Sequence, residues 1–407
     1  MTARGARLAA LALVAVLALV GAAAARAAPA QAPAAAEDSF ALALLRQMPA
    51  GPNLVYSPYS VDVALSMAAA GARGTTAEQI DRLLGAPSSS VATTNAAALL
   101  RAVAAAAPGV ASGAPTLEVA NALWIQTDLP VNPAFAATLS SSFNAPPQST
   151  DFTSAPEAAR QAINAWVSQH THRLISGLLP AGSISPATVF VLANAIYLKA
   201  NWASPFAARL THAAPFTTST GRRVSVPFMS ANRVVFPYAS GSSFQAVELP
   251  YRSSSLSLLA ILPVGRSLGQ LDATLNATAL ASLTVSLQQR QVDLRMPKLH
   301  LHTQTALNDP LRALGMTAAF GPSADFGGIA TGRALAISLV EHAADLRVDE
   351  QGTVAAAATG IVGPTAIALP QGPVVSVNLD RPYLLLLRDD TSGAILFVAR
   401  VGDPSTT

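Results

Sequence analysis

With 407 residues, 51% of them apolar, the chain is long enough to bury a large core, as two or three domains or one large one, and its lack of cysteine excludes disulfides, thiolate metal sites and a cysteine nucleophile. The formal charge is only +3, and Arg4, Arg7 and Arg26 account for it, since without them 22 basic residues face 22 acidic ones. No clustered Lys/Arg stripe remains, so neither nucleic acid nor a heparin-like polyanion is an expected partner.

Arg4 and Arg7 precede the apolar run 8–20, and Ala25-Arg26-Ala27 offers small residues for cleavage. That is the pattern of a secretory signal over residues 1–27, with a retained membrane anchor as the alternative. The implied localisation is secreted, extracellular or periplasmic. Residues 28–37 are Ala/Pro-rich and read as a flexible leader, and residues 38–48 carry apolar side chains at helical spacing. A further apolar helix is expected over 61–70, and Thr75-Thr76-Ala77-Glu78 reads as a capping box opening a helix that stops at Gly85 and Pro87.

Strand patterns follow in LEVANALWI (117–125), VFVLANAIYLKA (189–200) and QAVELPY (245–251), with a helical stretch over 157–179. The last third holds LSLLAILP, VDLRMPKLHLH, AADLRVDE, VVSVNL, YLLLLRD and AILFVARV, separated by turn residues. Mean hydropathy is high at +0.40. These runs nevertheless fall well short of the roughly 18 residues of a membrane helix, so they read as buried strands, and no span is expected after signal removal. The mixture is that of an α+β protein with extensive sheets.

Three features invite a chemical reading. Gly265-Arg266-Ser267-Leu268-Gly269 matches a hydrolase nucleophile elbow, although bulky Arg266 and Leu268 do not suit its sharp turn, so a hydrolase using Ser267 is a remote alternative. His170-Thr171-His172 and His300-Leu301-His302 have alternate spacing that a metal site can use; half-buried or surface histidines are the simpler reading, and neither metal nor cofactor is expected. Residues 349–363, DEQGTVAAAATGIVG, are the third. Local propensity leaves helix, linker and extended strand open there, since alanine favours the first, Gly/Thr/Ala the second, and small side chains permit the third.

Across the chain, the motif Asn53-Leu54-Val55-Tyr56-Ser57-Pro58-Tyr59-Ser60, the strand motif 192–197 running to Trp202 and Pro205-Phe206, and Met296-Pro297-Lys298 occur in that order. Leu314-Gly315-Met316, Asp325-Phe326, His342, Arg381-Pro382-Tyr383 and Phe397-Val398-Ala399-Arg400-Val401 follow. This ordered set around the small-residue stretch resembles the serpins, the serine protease inhibitor family, over residues 38–404, and specifically a secreted bacterial-type member. The resemblance implies one domain with three β-sheets, about eight or nine helices and an exposed reactive-centre loop at about 350–373. It implies no enzyme but a monomeric suicide-substrate inhibitor whose partner is a target serine protease held as a covalent acyl complex. A non-inhibitory binding or scaffold member is the alternative.

The same resemblance supplies the site residues. The hinge is Glu350, Gly352, Thr353, Val354, Ala355, Ala356, Ala357, Ala358 and Thr359, and the scissile bond joins Ala366 to Ile367. Small Ala366 points to elastase-like or subtilisin-like proteases, because trypsin-like ones want a cation there. Ser57, Ser60, Asn194 and His342 form a polar cluster beneath the opening sheet, the shutter, while Lys298 and Glu350 pair near Trp202 at its top, the breach. Physical chemistry suits the hinge: Thr353, Ala355, Ala357 and Thr359 alternate onto one face of a new strand, where a large or charged side chain would be buried unpaired. Gly352 is expected to supply unusual backbone angles at the pivot, and Thr353 to be exposed until cleavage. Val354 departs from the acidic residue carried by many inhibitory members.

Overall fold

The computed structural model describes residues 31–107, 115–332, 334–353 and 372–406. Its first part runs α1 (Gln31–Gln47), β1 (Asn53–Tyr56), α2 (Pro58–Ala69), α3 (Gly74–Leu83) and α4 (Ser89–Ala106). Next come β2 (Thr116–Gln126), α5 (Pro133–Phe143), β3 (Gln148–Thr150), α6 (Pro156–His170) and β4 (Phe190–Asn201). The chain continues through β5 (His212–Thr217), β6 (Arg223–Gly241), β7 (Phe244–Pro250), β8 (Leu256–Pro263), α7 (Leu268–Thr274), α8 (Ala277–Val285) and β9 (Gln288–Pro297). It ends with β10 (Leu299–Ala306), α9 (Asn308–Ala313), β11 (Leu339–Val348), β12 (Gly352–Thr353), β13 (Val375–Asn378), β14 (Tyr383–Asp389) and β15 (Ile395–Val401).

Local chemistry sets several boundaries away from those expected. α1 begins at Gln31, so residues 31–37 of the expected leader are helical, and Glu37 and Asp38 are buried against the rest of the fold. α2 starts at Pro58, whose missing N–H costs nothing at a helix N-terminus, with the Ser57 hydroxyl accepting from the Ser60 N–H at 3.1 Å. The capping box at 75–78 does not form. Thr76 is buried and its hydroxyl accepts instead from the Asp325 N–H at 2.9 Å, while the Arg73 N–H donates to Asp325 O, so a distant segment pins the start of α3. α6 stops at His170 rather than 179, because His172 and Arg173 take φ of 48° and 64°, outside the helical region.

Among the described residues, two hydrogen-bonded sheets result. One has strand order β10-β11-β12-β4-β2-β3, and the other β1-β15-β14-β8-β7-β6-β9-β13, with β5 also on β6. Long β6, with a register shift between Ala231 and Val234, joins what the sequence expectation counts as a second and a third sheet. The apolar runs 256–263 and 383–389 are indeed strands, β8 and β14, buried along their whole length. The main core lies between the sheets and beneath α1 and α2, and a smaller cluster, with Trp124, Ile163, Val167, Val191 and Ala343, packs α6 onto the outer face of the six-stranded sheet.

Candidate functional site

The centre of the six-stranded sheet has a seam. β11 and β4 run parallel and pair directly from Leu339 with Val191 to Ala343 with Ala195. Above that point β12 enters between them: Thr353 pairs with Val348 on one side and Ala200 on the other, and Gly352 pairs with Asn201. Asp349 makes the reversal, its N–H donating to Gly352 O at 2.9 Å and its carboxylate accepting from the N–H groups of Gln351 at 2.8 Å and Gly352 at 3.2 Å. A Cβ at Gly352 would sit 1.9 Å from Ala200 O, so close backbone approach is a further reason for glycine, beyond the pivot angles expected of it.

The expectation for Thr353 is corrected here. It is already 1% exposed, and its hydroxyl shares a 2.5 Å hydrogen bond with Tyr251 Oη. The strand pairing on both sides of this residue takes it out of solvent before any cleavage.

Around this entry the upper polar group assembles. Lys298 Nζ lies 2.8 Å from Glu350 Oε2, and Thr211 donates to Glu350 Oε1 at 2.8 Å. Burial alone would raise the Glu350 carboxyl, yet these hydrogen bonds hold it below its ordinary range. The Trp202 indole donates to Asp349 O at 2.9 Å, and its ring stacks on Tyr251 at 4.6 Å and 14°. Backbone N–H groups of Trp202 and Phe206 donate to Gln351 O and Glu350 O. The structure therefore brings Trp202, Lys298 and Glu350 together, and adds Tyr251, Thr211 and Asp349, which sequence reasoning missed.

Lower down, Ser57, Ser60, Asn194 and His342 also meet. The Ser57 N–H donates to His342 Nε2 at 3.0 Å, and the Ser60 hydroxyl donates to Asn194 Oδ1. Asn194 Nδ2 donates to Ser60 O at 2.7 Å and to Asn121 Oδ1. Asn121, opposite Asn194 in the β2–β4 register, is a further missed member. His342 is directly opposite Asn194 across the β11–β4 seam. Burial pushes its imidazole down to about 4, so it is neutral at pH 7. Since Nε2 accepts, the proton sits on Nδ1, which is buried and makes no hydrogen bond among the described residues.

Other sequence candidates part from this site. Ser267 caps α7: its hydroxyl accepts from the Gln270 N–H at 3.2 Å while the Gln270 side chain accepts from the Ser267 N–H, a capping box in place of a strained elbow. His300 and His302 both face Asp345, at 3.1 and 3.5 Å, whereas His170 bonds Trp166 O and His172 bonds Glu118, so the two pairs do not converge. Val354, Ala355, Ala356, Ala357, Ala358, Thr359, Ala366 and Ile367 lie outside the described residues.

The family model "Serpin (serine protease inhibitor)" matches residues 35–404. This chain belongs to the serpin family. It is 36% identical to Iripin-2 of Ixodes ricinus, over 90% of this chain and 92% of that one, and 33% identical to the leukocyte elastase inhibitor of Bos taurus, over 91% and 99%. Among solved structures, thyroxine-binding globulin in complex with thyroxine superposes on this serpin with a TM-score of 0.80 and 26% identity, covering 91% of this chain and 99% of that one. These relatives give the bacterial subtype no support. The serpin fold is thus shown by structure and sequence together, and the family is one of protease inhibitors. No helix among the described residues is long and apolar enough to cross a membrane.

Proposed function

We propose that this serpin is a suicide-substrate inhibitor of elastase-like or subtilisin-like serine proteases, exported by its first 27 residues, with one inhibitory domain over 38–404. The observation that carries this reading is the hinge itself: Gly352 and Thr353 already form a strand at the top of a seam whose two sides are paired directly only lower down. Continuing that register antiparallel to β11 and β4 leads residue 354 between Arg347 and Lys199, and residue 359 between His342 and Asn194. From residue 358 on, each step replaces one direct β11–β4 pairing by two, while residues 354–357 fill the gap above it, so the edges opened by insertion are satisfied as fast as they form.

In this reading a target serine attacks the Ala366 carbonyl, Ile367 leaves with the freed amine, and the acyl bond tethers the enzyme to the loop. About thirteen further residues, 354–366, at roughly 3.3 Å each carry it on the order of 43 Å, and the pull distorts a triad that works only at sub-ångström tolerance. Inserted Thr359, on the same face as Thr353, would bring its hydroxyl to the unpaired His342 Nδ1. Glu350 with Lys298, and Trp202 with Asp349, fix where entry begins.

A binding serpin that is cut without trapping is the second reading, favoured by the likeness to a thyroxine-bound globulin and by Val354 at a hinge position. Incubation with pancreatic elastase and subtilisin followed by denaturing electrophoresis separates the two. The inhibitor yields an SDS-resistant band at the summed mass, and mass spectrometry of the released peptide begins at Ile367. Cleavage with no such band across the panel supports the binding reading.

A further inference from the structure

Away from the seam, α1, α2 and α4 enclose a cavity of about 300 Å³ whose wall is mostly alanine and leucine, among them Ala92, Ala96, Leu84 and Leu99. Ser66, Asn95, Thr391 and Ser392 supply neutral polar groups to that wall, and two carboxyl groups complete it, Glu37 from α1 and Asp62 from α2. Glu37 is 4% exposed, and its Oε1 makes no hydrogen bond among the described residues. Asp62 has only a long 3.4 Å contact from the Ser66 hydroxyl. Among the described residues, no Lys, Arg or His lines the space. An unpaired carboxyl oxygen facing a cavity without a positive side chain is an acceptor that the protein itself leaves open.

We propose that this cavity is a binding site for a small organic cation, an ammonium group on an apolar body, with the ammonium donating to Glu37 Oε1 and Asp62 and the apolar part lying against the α4 alanines. A bare metal ion is the poorer occupant, because among the described residues no group of three or more His, Cys, Asp or Glu side chains converges to hold one. The volume is at the small end of ligand pockets, which favours a single ring or short chain. Electrostatics agree. Burial, then repulsion from Asp62 and Asp38, holds the Glu37 carboxyl well above its ordinary range, only partly offset by a hydrogen bond with the Ile395 backbone, and Asp389 adds to this from β14; burial raises Asp62 to about 7. Arg388 acts on Asp38, and no arginine or lysine acts on Glu37 or Asp62. A bound ammonium supplies the missing counter-charge, so binding ionises these groups and releases protons, and affinity increases from pH 6 to pH 8.

The test is isothermal titration of the full chain with phenethylammonium at pH 8 and pH 6, with 2-phenylethanol and 3-phenylpropionate as neutral and anionic controls. The expected result is one saturable site for the amine, tighter at pH 8, with heats that depend on buffer through proton release and no binding of either control. Glu37→Gln lowers affinity at least tenfold, and Ala96→Leu, which fills the cavity with a side chain suited to a helix, abolishes it. Should Glu37→Gln not fold, Ala96→Leu decides. Absence of saturable binding, equal binding of the alcohol, or amine affinity unchanged in both variants overturns the proposal. The readout involves no protease and is independent of trapping.

Discussion

Thr353 is held by its neighbours before any protease arrives, and this changes what a charge at that position does. Arginine there would have to be buried in the uncleaved protein, beside Tyr251 and between Val348 and Ala200, an unpaired charge costing several kcal/mol. The hinge escapes by leaving the sheet, so Thr353→Arg is expected to lose the β12 pairings, to melt a few degrees lower and to act as a substrate rather than an inhibitor. Trp202 reports this directly, because its indole bonds Asp349 O in the same turn; its emission should shift to the red. Thr353→Ala removes only one hydroxyl and should cost about 1 kcal/mol with trapping largely retained. An unshifted spectrum and unchanged melting in Thr353→Arg would mean that the hinge is not seated as described. At this scale the sequence displayed the small side chains and, by resemblance, Ser57, Ser60, Asn194 and His342. It did not display Tyr251 or Asn121, because each acquires its role only from register: Asn121 by lying opposite Asn194, and Tyr251 by its isolated bridge to Trp202.

Strands were legible where apolar residues alternate or run continuously, and β2, β4, β7, β8 and β14 fall within a residue or so of the expected spans. Helix ends were less so, since the start of α3 depends on Asp325 and the end of α6 on two residues with positive φ. For the insertion proposed above, the element that matters most is α6, whose apolar side chains cluster with Ala193, Ala195 and Ala343 beside the seam. A strand entering between β11 and β4 must pass under it, and its outward side chains meet those that flank the helix. In the inserted state proposed above, continued register would turn residue 354 outward between Arg347 and Lys199. Arg347 already has Asp345 at 3.0 Å, whereas valine at 354 gives these two cations nothing. Val354→Glu is therefore expected to favour the inserted state by a fraction of a kcal/mol to about 1 kcal/mol, as partly exposed pairs do. In the proposed mechanism insertion competes with acyl hydrolysis, so the measurable sign is fewer inhibitor molecules consumed per protease inactivated, lost again at high salt. A higher consumption in Val354→Glu would show that the register does not continue as drawn.

For the molecule as a whole, the largest consequence of its buried carboxyls is the direction in which stability changes with pH. Burial raises Asp38, Asp62 and Glu341 to about 7, with Arg388 only partly offsetting it at Asp38, and burial followed by repulsion from Asp390 raises Glu248. In the unfolded chain such groups titrate near pH 4, so the folded protein binds more protons between about 4 and 7. Their contribution is complete below pH 4 and is lost as pH climbs through 7, on the order of 1–2 kcal/mol each between pH 5.5 and pH 8. His342 works the other way: lowered to about 4, it favours the fold above its ordinary value of 6.5, and that contribution is lost as pH falls through 4. One opposing imidazole does not cancel four carboxyls. Carboxyls held low, such as Asp345 and Glu350, change charge only in more acidic solution than this window covers. Scanning calorimetry should thus find a melting temperature several degrees higher at pH 5.5 than at pH 8, and Asp62→Asn with Glu341→Gln should flatten the slope, since neither amide titrates. His342→Gln should steepen it. A melting temperature that rises from pH 5.5 to pH 8 would mean that these carboxyls are ionised in the folded protein, paired more strongly than Arg388 beside Asp38 and Glu248 provides.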